Sequence, residues 1–341
     1  MSPAQEALWV VGGEQRSTLR RQNEWNKFGA AVVARIEPDS GTAERVLEYT
    51  SPPEHCPDDR PSFVFKAATI AGDTAWLCTQ TEVLECALPS FTIRRVISLP
   101  FFNDLHHVTP GPDGTLFLAV TGLDAVAEIT RDGELLRLVS VLGGSPWDRF
   151  SPEIDYRKVA TTKPHLSHPN YVFFLDGRPW VTRFEQRDAV PLDEPRGDTR
   201  AFPVGGAGIH DGCVDNVDNN VDGGRLFFTA VDGHLVRFSL ADGERRDLDL
   251  NSFLEPDDDR PLGWCRGVLP LGDRAWVGFT RLRPTLLHRN LSWIRHGFRD
   301  VRLPTRIALY DIERPARLLE VNVETAGINA VFSIHACAFA G

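Results

Sequence analysis

Four histidines lie in short polar segments that are far apart in the sequence. They are His106, His168, His210 and His335. Neutral imidazole suits Fe(II), Zn(II), Mn(II) and Cu(II), and an open coordination position on such a metal can bind a substrate or oxygen. Calcium prefers oxygen ligands and matches an imidazole set poorly. If the fold brings the four rings together, the sequence predicts a site for a divalent transition metal, with Fe(II) favoured.

Other reactive side chains lie close to these histidines in the sequence. The predicted catalytic residues are Asp211, as a base or a partner of a metal ligand, and Arg266, as the site for an anionic substrate group. Adjacent strand residues face opposite ways, so His107 and His165 are alternative ligands. A metal-free polar channel and purely structural histidines remain open alternatives. Supporting or substrate-facing roles are expected for Asp104, Asn170 and Cys265.

A second polar segment, DNNVDG at 218–223, matches the opening of a calcium-binding loop. The acidic twelfth position of such a loop falls on Thr229, so the pattern is incomplete. Asp and Asn also favour turns, and we interpret this segment as a hairpin rather than a calcium site.

The composition narrows the class of protein. The chain has 341 residues, 42% of them hydrophobic, and a net charge of −10. No clustered basic patch is visible outside the arginine-rich stretch from Arg281 to Arg306, which argues against a nucleic-acid partner. No signal-peptide pattern and no apolar stretch long enough to span a membrane is visible, so we expect a cytoplasmic protein. The six cysteines form no CxxC pair, and we expect reduced thiols.

An internal repeat supplies the elements that would position the histidines. A turn of the Asp/Gly type followed by a strand with an aromatic residue occurs five times, as GDTAWLCT, DGTLFLAV, DGRPWVTR, DGGRLFFTA and GDRAWVGF. Strand-like segments precede and follow each copy. Four-stranded units of roughly 40 to 50 residues that repeat in this way are typical of propeller blades.

The sixth copy of the repeat is divided between the two termini. The C-terminal INAVFSIHACAFAG reads as a first strand and the N-terminal EALWVVGG, with Trp9, as a second strand. The sequence therefore predicts one all-β domain over 1–341, a six-bladed β-propeller closed by terminal strands that share a blade. Joining the termini protects two sheet edges. Residues 283–302 have helical periodicity, and we expect a short helical insertion in the last blade that forms a lid over the channel.

Three segments carry a resemblance to a known family. CRGVLPLGDRAWVGFTRLRP, HPNYVFFLDGRPWVT and NAVFSIHACAFAG resemble an uncharacterised bacterial propeller-like family of conserved hypothetical proteins. The resemblance covers the C-terminal two thirds, departs at Ser333 and His335, and implies a fold but no reaction. The six-blade organisation is similar to that of SMP-30 and gluconolactonase propellers, whose carboxylate and Asn metal site is not matched. The histidine set is similar in kind to the iron centre of carotenoid-cleaving oxygenases, although this chain is shorter and lacks their motifs.

Together these patterns predict a metal-dependent enzyme that acts on a small organic molecule at the central channel, by oxidative or by lyase or hydrolase chemistry. Two alternatives stay open. One is a non-catalytic propeller that binds a ligand or a protein, and the other is a calcium-dependent hydrolase similar to lactonases. No integral membrane association is expected.

Overall fold

The aromatic residue of each repeat lies in the second strand of a four-stranded antiparallel sheet, as the repeat predicts. The protein is described from a computed structural model over residues 6–16, 27–193, 201–215, 224–254, 261–281 and 303–337. Its strands form six such sheets, and these sheets are the blades of a β-propeller. Strands that follow one another in the chain lie side by side within a blade, and the last strand of the chain joins the first three. The predicted fold class is therefore confirmed.

Each blade runs from an innermost strand at the propeller axis to an outermost strand at the rim. From the inside outwards, blade 1 contains β24 (Ala330–Ala336), β1 (Leu8–Gln15), β2 (Phe28–Glu37) and β3 (Thr42–Tyr49), and blade 2 contains β4 (Thr69–Ala71), β5 (Thr74–Cys78), β6 (Val83–Ala87) and β7 (Thr92–Ile97). Blade 3 contains β8 (Leu105–Pro110), β9 (Leu116–Val120), β10 (Ala125–Ile129) and β11 (Leu135–Ser140), and blade 4 contains β12 (Pro169–Leu175), β13 (Arg178–Arg183), β14 (Asp188–Pro191) and β15 (Phe202–Pro203). Blade 5 contains β16 (Ile209–Asp215), β17 (Arg225–Ala230), β18 (His234–Ser239) and β19 (Arg245–Asp249), and blade 6 contains β20 (Trp264–Leu271), β21 (Arg274–Thr280), β22 (Arg306–Asp311) and β23 (Ala316–Asn322).

The hydrophobic core is divided into clusters that lie between neighbouring blades. The aromatic residue of each second strand is buried and packs against the next blade around the ring. Trp276 of blade 6, for example, packs with Leu8 and Val10 of blade 1, and Trp76 of blade 2 packs with Leu105 of blade 3. Burial of a large apolar side chain contributes about 2 kcal/mol. The repeated aromatic residues therefore hold the blades to one another.

The ring closes through the pairing of β24 with β1, as predicted from the divided repeat. Trp9 lies opposite His335 in this antiparallel pair. The two strands approach so closely at Gly12 that a Cβ atom there would lie 1.8 Å from the carbonyl oxygen of Ala330. Only glycine fits this position, and the closure depends on it.

Short 3₁₀ turns occupy some of the connections between blades and one connection within blade 3, at Thr121–Leu123. They span Pro53–His55, Thr121–Leu123, Pro146–Asp148, Tyr156–Lys158, Leu250–Phe253 and Glu324–Ala326. The predicted helical insertion at 283–302 lies outside the described residues, as does the hairpin at 218–223. Within the described ranges, no helix has the length and apolar character needed to cross a membrane. All six cysteines are free thiols.

Candidate functional site

The innermost strands of five blades each carry a β-bulge near their start. At a bulge, the extra residue has no partner in the neighbouring strand, and the bulge changes the direction in which its side chain points. The register shifts in blades 3, 4, 5, 6 and 1 occur at His106, Asn170, Asp211 with Gly212, Arg266 with Gly267, and Phe332, respectively.

These bulges bring polar side chains from several blades to one small cavity. The cavity is small, with room for about one water molecule, and it opens to solvent. It is lined by Ala67, His106, Asn170, Tyr171, His210, Asp211, Arg266 and Phe332. Side chains that are distant in the sequence thus share one cavity because the innermost strands of a propeller surround its axis.

Two cationic side chains flank the aromatic ring of Phe332. Nζ of Lys66 lies 5.0 Å from the ring centroid, and the guanidinium carbon of Arg266 lies 4.4 Å from it. Lys66 is buried and donates to Oδ1 of Asp104 at 3.1 Å. Burial alone would raise the pKa of Asp104, but Lys66 and nearby cationic groups hold it well below its usual range. Asp104 is therefore ionised and paired, and it balances the charge of Lys66.

Arg266 also contacts a histidine from the neighbouring blade. Its Nη2 atom lies 2.6 Å from Nε2 of His210, while Nδ1 of His210 lies 2.8 Å from Nδ2 of Asn170. His210 is buried, and burial together with the charge of Arg266 lowers its pKa well below the usual range. His210 is therefore neutral, with one N–H donor and one lone pair.

His106 presents a lone pair on its second nitrogen. Its Nδ1 atom lies 2.8 Å from the carbonyl oxygen of Asp104. A carbonyl only accepts, so Nδ1 carries the proton and Nε2 of the neutral ring does not. Burial, followed by the charge of Lys66, lowers the pKa of His106 well below its usual range. Nε2 of His106 is thus suited to accept a hydrogen bond or to bind a metal.

The His168 ring packs edge to face against His106, with 4.7 Å between the ring centroids. Nδ1 of His168 lies 3.0 Å from Nδ1 of His165, and burial lowers the pKa of His168 to about 3. The carboxylate of Asp124 fixes this segment by accepting the backbone N–H groups of Leu166, Ser167 and His168. A buried anion that accepts three backbone donors holds the loop in one conformation.

Asp211 is a buried carboxyl group with an unusual pKa. Its Oδ2 atom accepts hydrogen bonds from Oγ1 of Thr229 at 2.5 Å and from the backbone nitrogen of Gly267 at 3.0 Å. Burial raises the pKa of Asp211 to about 6, although these bonds and Arg266 oppose the increase. Gly267 has a φ of 83°, which glycine adopts readily and which the bulge requires. A carboxyl group with such a pKa exchanges protons near neutral pH.

Both predicted catalytic residues, Asp211 and Arg266, lie in the cavity, as do His106 and His210. His168 contacts His106. Their roles in a reaction stay predictions. Cys265, which the sequence suggested as a supporting group, instead packs within the hydrophobic cluster between blades 5 and 6.

Two of the histidines considered as ligands make other contacts. In His107, Nδ1 accepts the backbone N–H of Val172 and Nε2 lies 3.1 Å from Oγ1 of Thr69, so hydrogen bonds occupy both nitrogens. Nε2 of His335 lies 3.0 Å from Oγ of Ser333. Within the described ranges, no ring contact or hydrogen bond joins His335 to the other three predicted ligands. Phe332 is the residue of β24 that lines the cavity.

The described part of the chain contains no group of three or more His, Cys, Asp or Glu side chains arranged to hold a metal ion. The cation of Arg266 beside Nε2 of His210 is also unfavourable for a bound metal at that nitrogen, because like charges repel. The four-histidine metal centre stays a prediction.

Sequence reasoning missed Lys66 and Phe332 as residues of the site. Lys66 had a recognisable signal, because it is one of only four lysines among 37 basic residues and lies in the apolar segment FVFKAAT. A lysine in a buried strand-like segment needs a partner and is a functional candidate. Phe332 had no such signal, because the bulge that exposes it to the cavity depends on strand register.

The fold and the cavity define a six-bladed propeller with a polar site built from its innermost strands. A protein of unknown function from Bacteroides caccae has a similar structure, with a TM-score of 0.58 and 14% identity over 96% of this chain and 98% of that chain. This similarity agrees with the resemblance to an uncharacterised bacterial propeller-like family.

A chain of a nidogen/laminin complex has a TM-score of 0.52 and 10% identity over 96% of this chain and 97% of that chain. Virginiamycin B lyase from Staphylococcus aureus, in a catalytically inactive form with quinupristin, has a TM-score of 0.48 and 13% identity over 96% and 88% of the two chains. At these identities the similarities show the fold alone. No protein-family model matches the sequence, and no curated protein matches it.

Proposed function

We propose that this protein is an enzyme that binds a small organic anion in the cavity and exchanges a proton with it. The observation that carries the proposal is the position of Arg266, which reaches the cavity from a bulge and contacts both Phe332 and His210. A guanidinium group binds carboxylates with paired hydrogen bonds. Lys66 contacts the same aromatic ring, and its own charge is paired with Asp104.

One group in the cavity has the properties needed for acid–base chemistry near neutral pH. Asp211 has a pKa raised to about 6 by burial, so it can accept or donate a proton near neutral pH. Nε2 of His106, whose pKa is held well below its usual range, carries a lone pair that can accept a hydrogen bond from the bound molecule. This chemistry is common to lyases and hydrolases, which the sequence also suggested, and it uses only side chains of this chain.

Anion binding is tested by calorimetric titration with matched small ligands. Propionate should bind and neutral propionamide should not, because only the carboxylate pairs with Arg266. The variant R266M should weaken propionate binding by about tenfold or more. R314M is the matched control, since Arg314 is exposed on the loop after β22, and it should bind as the unchanged protein does. Equal binding of propionamide, or equal binding by R266M, would contradict the proposal.

Catalysis is tested separately from binding. A mixture of small carboxylic acids is incubated with the protein in D₂O and followed by proton NMR, with D211N as the inactive comparison. Loss of a C–H signal or formation of a product that requires Asp211 supports an enzyme. Binding without any change would leave a ligand-binding propeller instead.

A histidine-bound divalent transition metal, with Fe(II) favoured, is the second candidate function. The observation that favours it is the lone pair on Nε2 of His106 beside the ring of His168. Metal analysis of protein purified without a histidine tag tests it. Stoichiometric metal that is lost in a variant with both His106 and His168 replaced by Asn would support it, and metal-free protein with full activity would contradict it.

A further inference from the structure

The side-chain oxygen of Asn170 is a buried acceptor. Nδ2 of Asn170 lies 2.7 Å from the backbone oxygen of Ile209 and 2.8 Å from Nδ1 of His210. A carbonyl oxygen can only accept, so the amide nitrogen faces it and Oδ1 does not. Asn170 is buried and lines the cavity, and its Oδ1 atom has no hydrogen-bond partner among the residues that the structure describes. A buried acceptor of this kind normally has a donor, either from the protein or from an ordered water molecule.

A second acceptor on the cavity wall comes from the neighbouring blade. Nδ1 of His106 donates to the carbonyl oxygen of Asp104, which leaves the lone pair of the neutral ring on Nε2. Over the described ranges, this Nε2 atom makes no hydrogen bond. His106 is buried and lines the same cavity as Asn170. The cavity wall therefore offers two acceptors, on β8 and β12, that both need a donor.

The size of the cavity limits what can supply these donors. It has room for about one water molecule and it opens to solvent. In so small a space, one molecule is within reach of polar atoms on both sides of the wall. Water has one hydrogen for each of the two acceptors, and its oxygen can still accept a hydrogen bond from solvent at the open side. It would then make about three hydrogen bonds, which is typical of buried water.

We propose that the cavity binds one ordered water molecule, which donates to Oδ1 of Asn170 and to Nε2 of His106. The water links the innermost strands of blades 3 and 4. This inference does not rest on the proposed function, since its contacts belong to the protein without a ligand. A carboxylate only accepts, so it cannot replace the water between two acceptors. An anion that pairs with Arg266 would therefore lie beside the water, on the open side of the cavity.

A crystal structure of the unchanged protein without a ligand, at a resolution of about 1.5 Å, tests the water site. One peak without anomalous signal should lie about 2.7 to 3.2 Å from both Oδ1 of Asn170 and Nε2 of His106. A cavity without density would overturn the inference, as would a water that contacts neither atom. A peak with anomalous signal about 2.1 Å from Nε2 would also overturn it, because that is the distance of a bound metal ion.

Ala67 lines the cavity and allows a matched pair of variants. A67V and A67T add side chains of nearly the same shape, and both would take up the space of the water. Only threonine brings a hydroxyl that can donate in place of the water, whereas valine leaves both acceptors unpaired. A67T should therefore melt several degrees above A67V. Equal melting temperatures, or a higher one for A67V, would mean that the cavity needs no donor and would contradict the inference.

The water site and anion binding can fail separately. Titration with propionate tests anion binding, and the structure without a ligand tests the water. A structure with propionate should keep the water in place, and a carboxylate oxygen found between Asn170 and His106 would contradict their assignment as acceptors. The structure of the unchanged protein is decisive even if neither variant of Ala67 folds.

Discussion

Nε2 of His210 and Nη2 of Arg266 lie 2.6 Å apart in the cavity, on the innermost strands of two neighbouring blades. Arg266 lies at the bulge of its strand, and His210 directly precedes the bulge of the other. The contact therefore depends on strand register, and it joins a cation to a buried neutral imidazole. An anion that pairs with Arg266 would bind where the two strands meet.

Replacing Asp211 by Asn should change how stability depends on pH. Burial raises the pKa of Asp211 from 3.8 to about 6 in the folded state. Between these values the unfolded chain ionises while the folded protein keeps the proton, so this group makes stability fall as pH rises. The total effect is about 3 kcal/mol. D211N lacks this contribution.

The measurement is urea denaturation of both proteins between about pH 4 and pH 7. The free energy of unfolding of the unchanged protein, minus that of D211N, should fall by up to about 3 kcal/mol across this range. A constant difference would mean that Asp211 has an ordinary pKa and is not suited to proton exchange near neutral pH.

Replacing His168 by Asn should have the opposite pH dependence. Burial lowers the pKa of His168 to about 3, so its stabilising contribution is complete above about pH 6.5 and is lost as pH falls. His168 has a φ of 56°, which Asn tolerates well. Between about pH 6.5 and pH 5, H168N should lose about 2 kcal/mol less stability than the unchanged protein.

His234 serves as a control, because its pKa is shifted upwards whereas the pKa of His168 is shifted downwards. Burial alone would lower its pKa, but the hydrogen bond with Asp247 raises it overall. Its contribution is therefore present at low pH and is lost as pH rises through the folded-state pKa. H234N should become relatively less stable as pH falls. The same pH trend for both variants would show that His168 is not held neutral by burial.

Replacing Gly12 by Ala should open the ring. The added Cβ would lie 1.8 Å from the carbonyl oxygen of Ala330, so β1 and β24 would have to separate. We expect a loss of about 3 kcal/mol or more in the free energy of unfolding. G29A is the control, since its Cβ would meet only the flexible side chain of Arg16 at 3.1 Å or more. Thermal melting measures both variants, and equal melting temperatures would contradict closure by this strand pair.

The fold was predictable because its signals are local and repeated. Each Asp/Gly turn and the aromatic residue after it specify a hairpin and an interblade contact. The division of the last repeat was enough to predict that Trp9 and His335 lie in one blade. A propeller multiplies one such pattern six times, so an error in one copy changes the prediction little.

The site was less predictable because it depends on register. His106 and His210 lie at the starts of innermost strands, as the sequence indicated, but a shift of one residue at a bulge decides which side chain reaches the cavity. In β24 the residue at the cavity is Phe332, near the start of the strand, whereas the predicted ligand His335 lies near its end. Asn170 was expected only as a supporting group. Its Oδ1 atom, which has no hydrogen-bond partner among the residues that the structure describes, is oriented by the carbonyl of Ile209 in the next blade.

The most direct test is a crystal structure of the protein with propionate, collected with anomalous data for transition metals. The account predicts a propionate carboxylate that accepts hydrogen bonds from the guanidinium group of Arg266 in the cavity. Propionate bound elsewhere, or a metal ion bound by His106, His168 and His210, would contradict it.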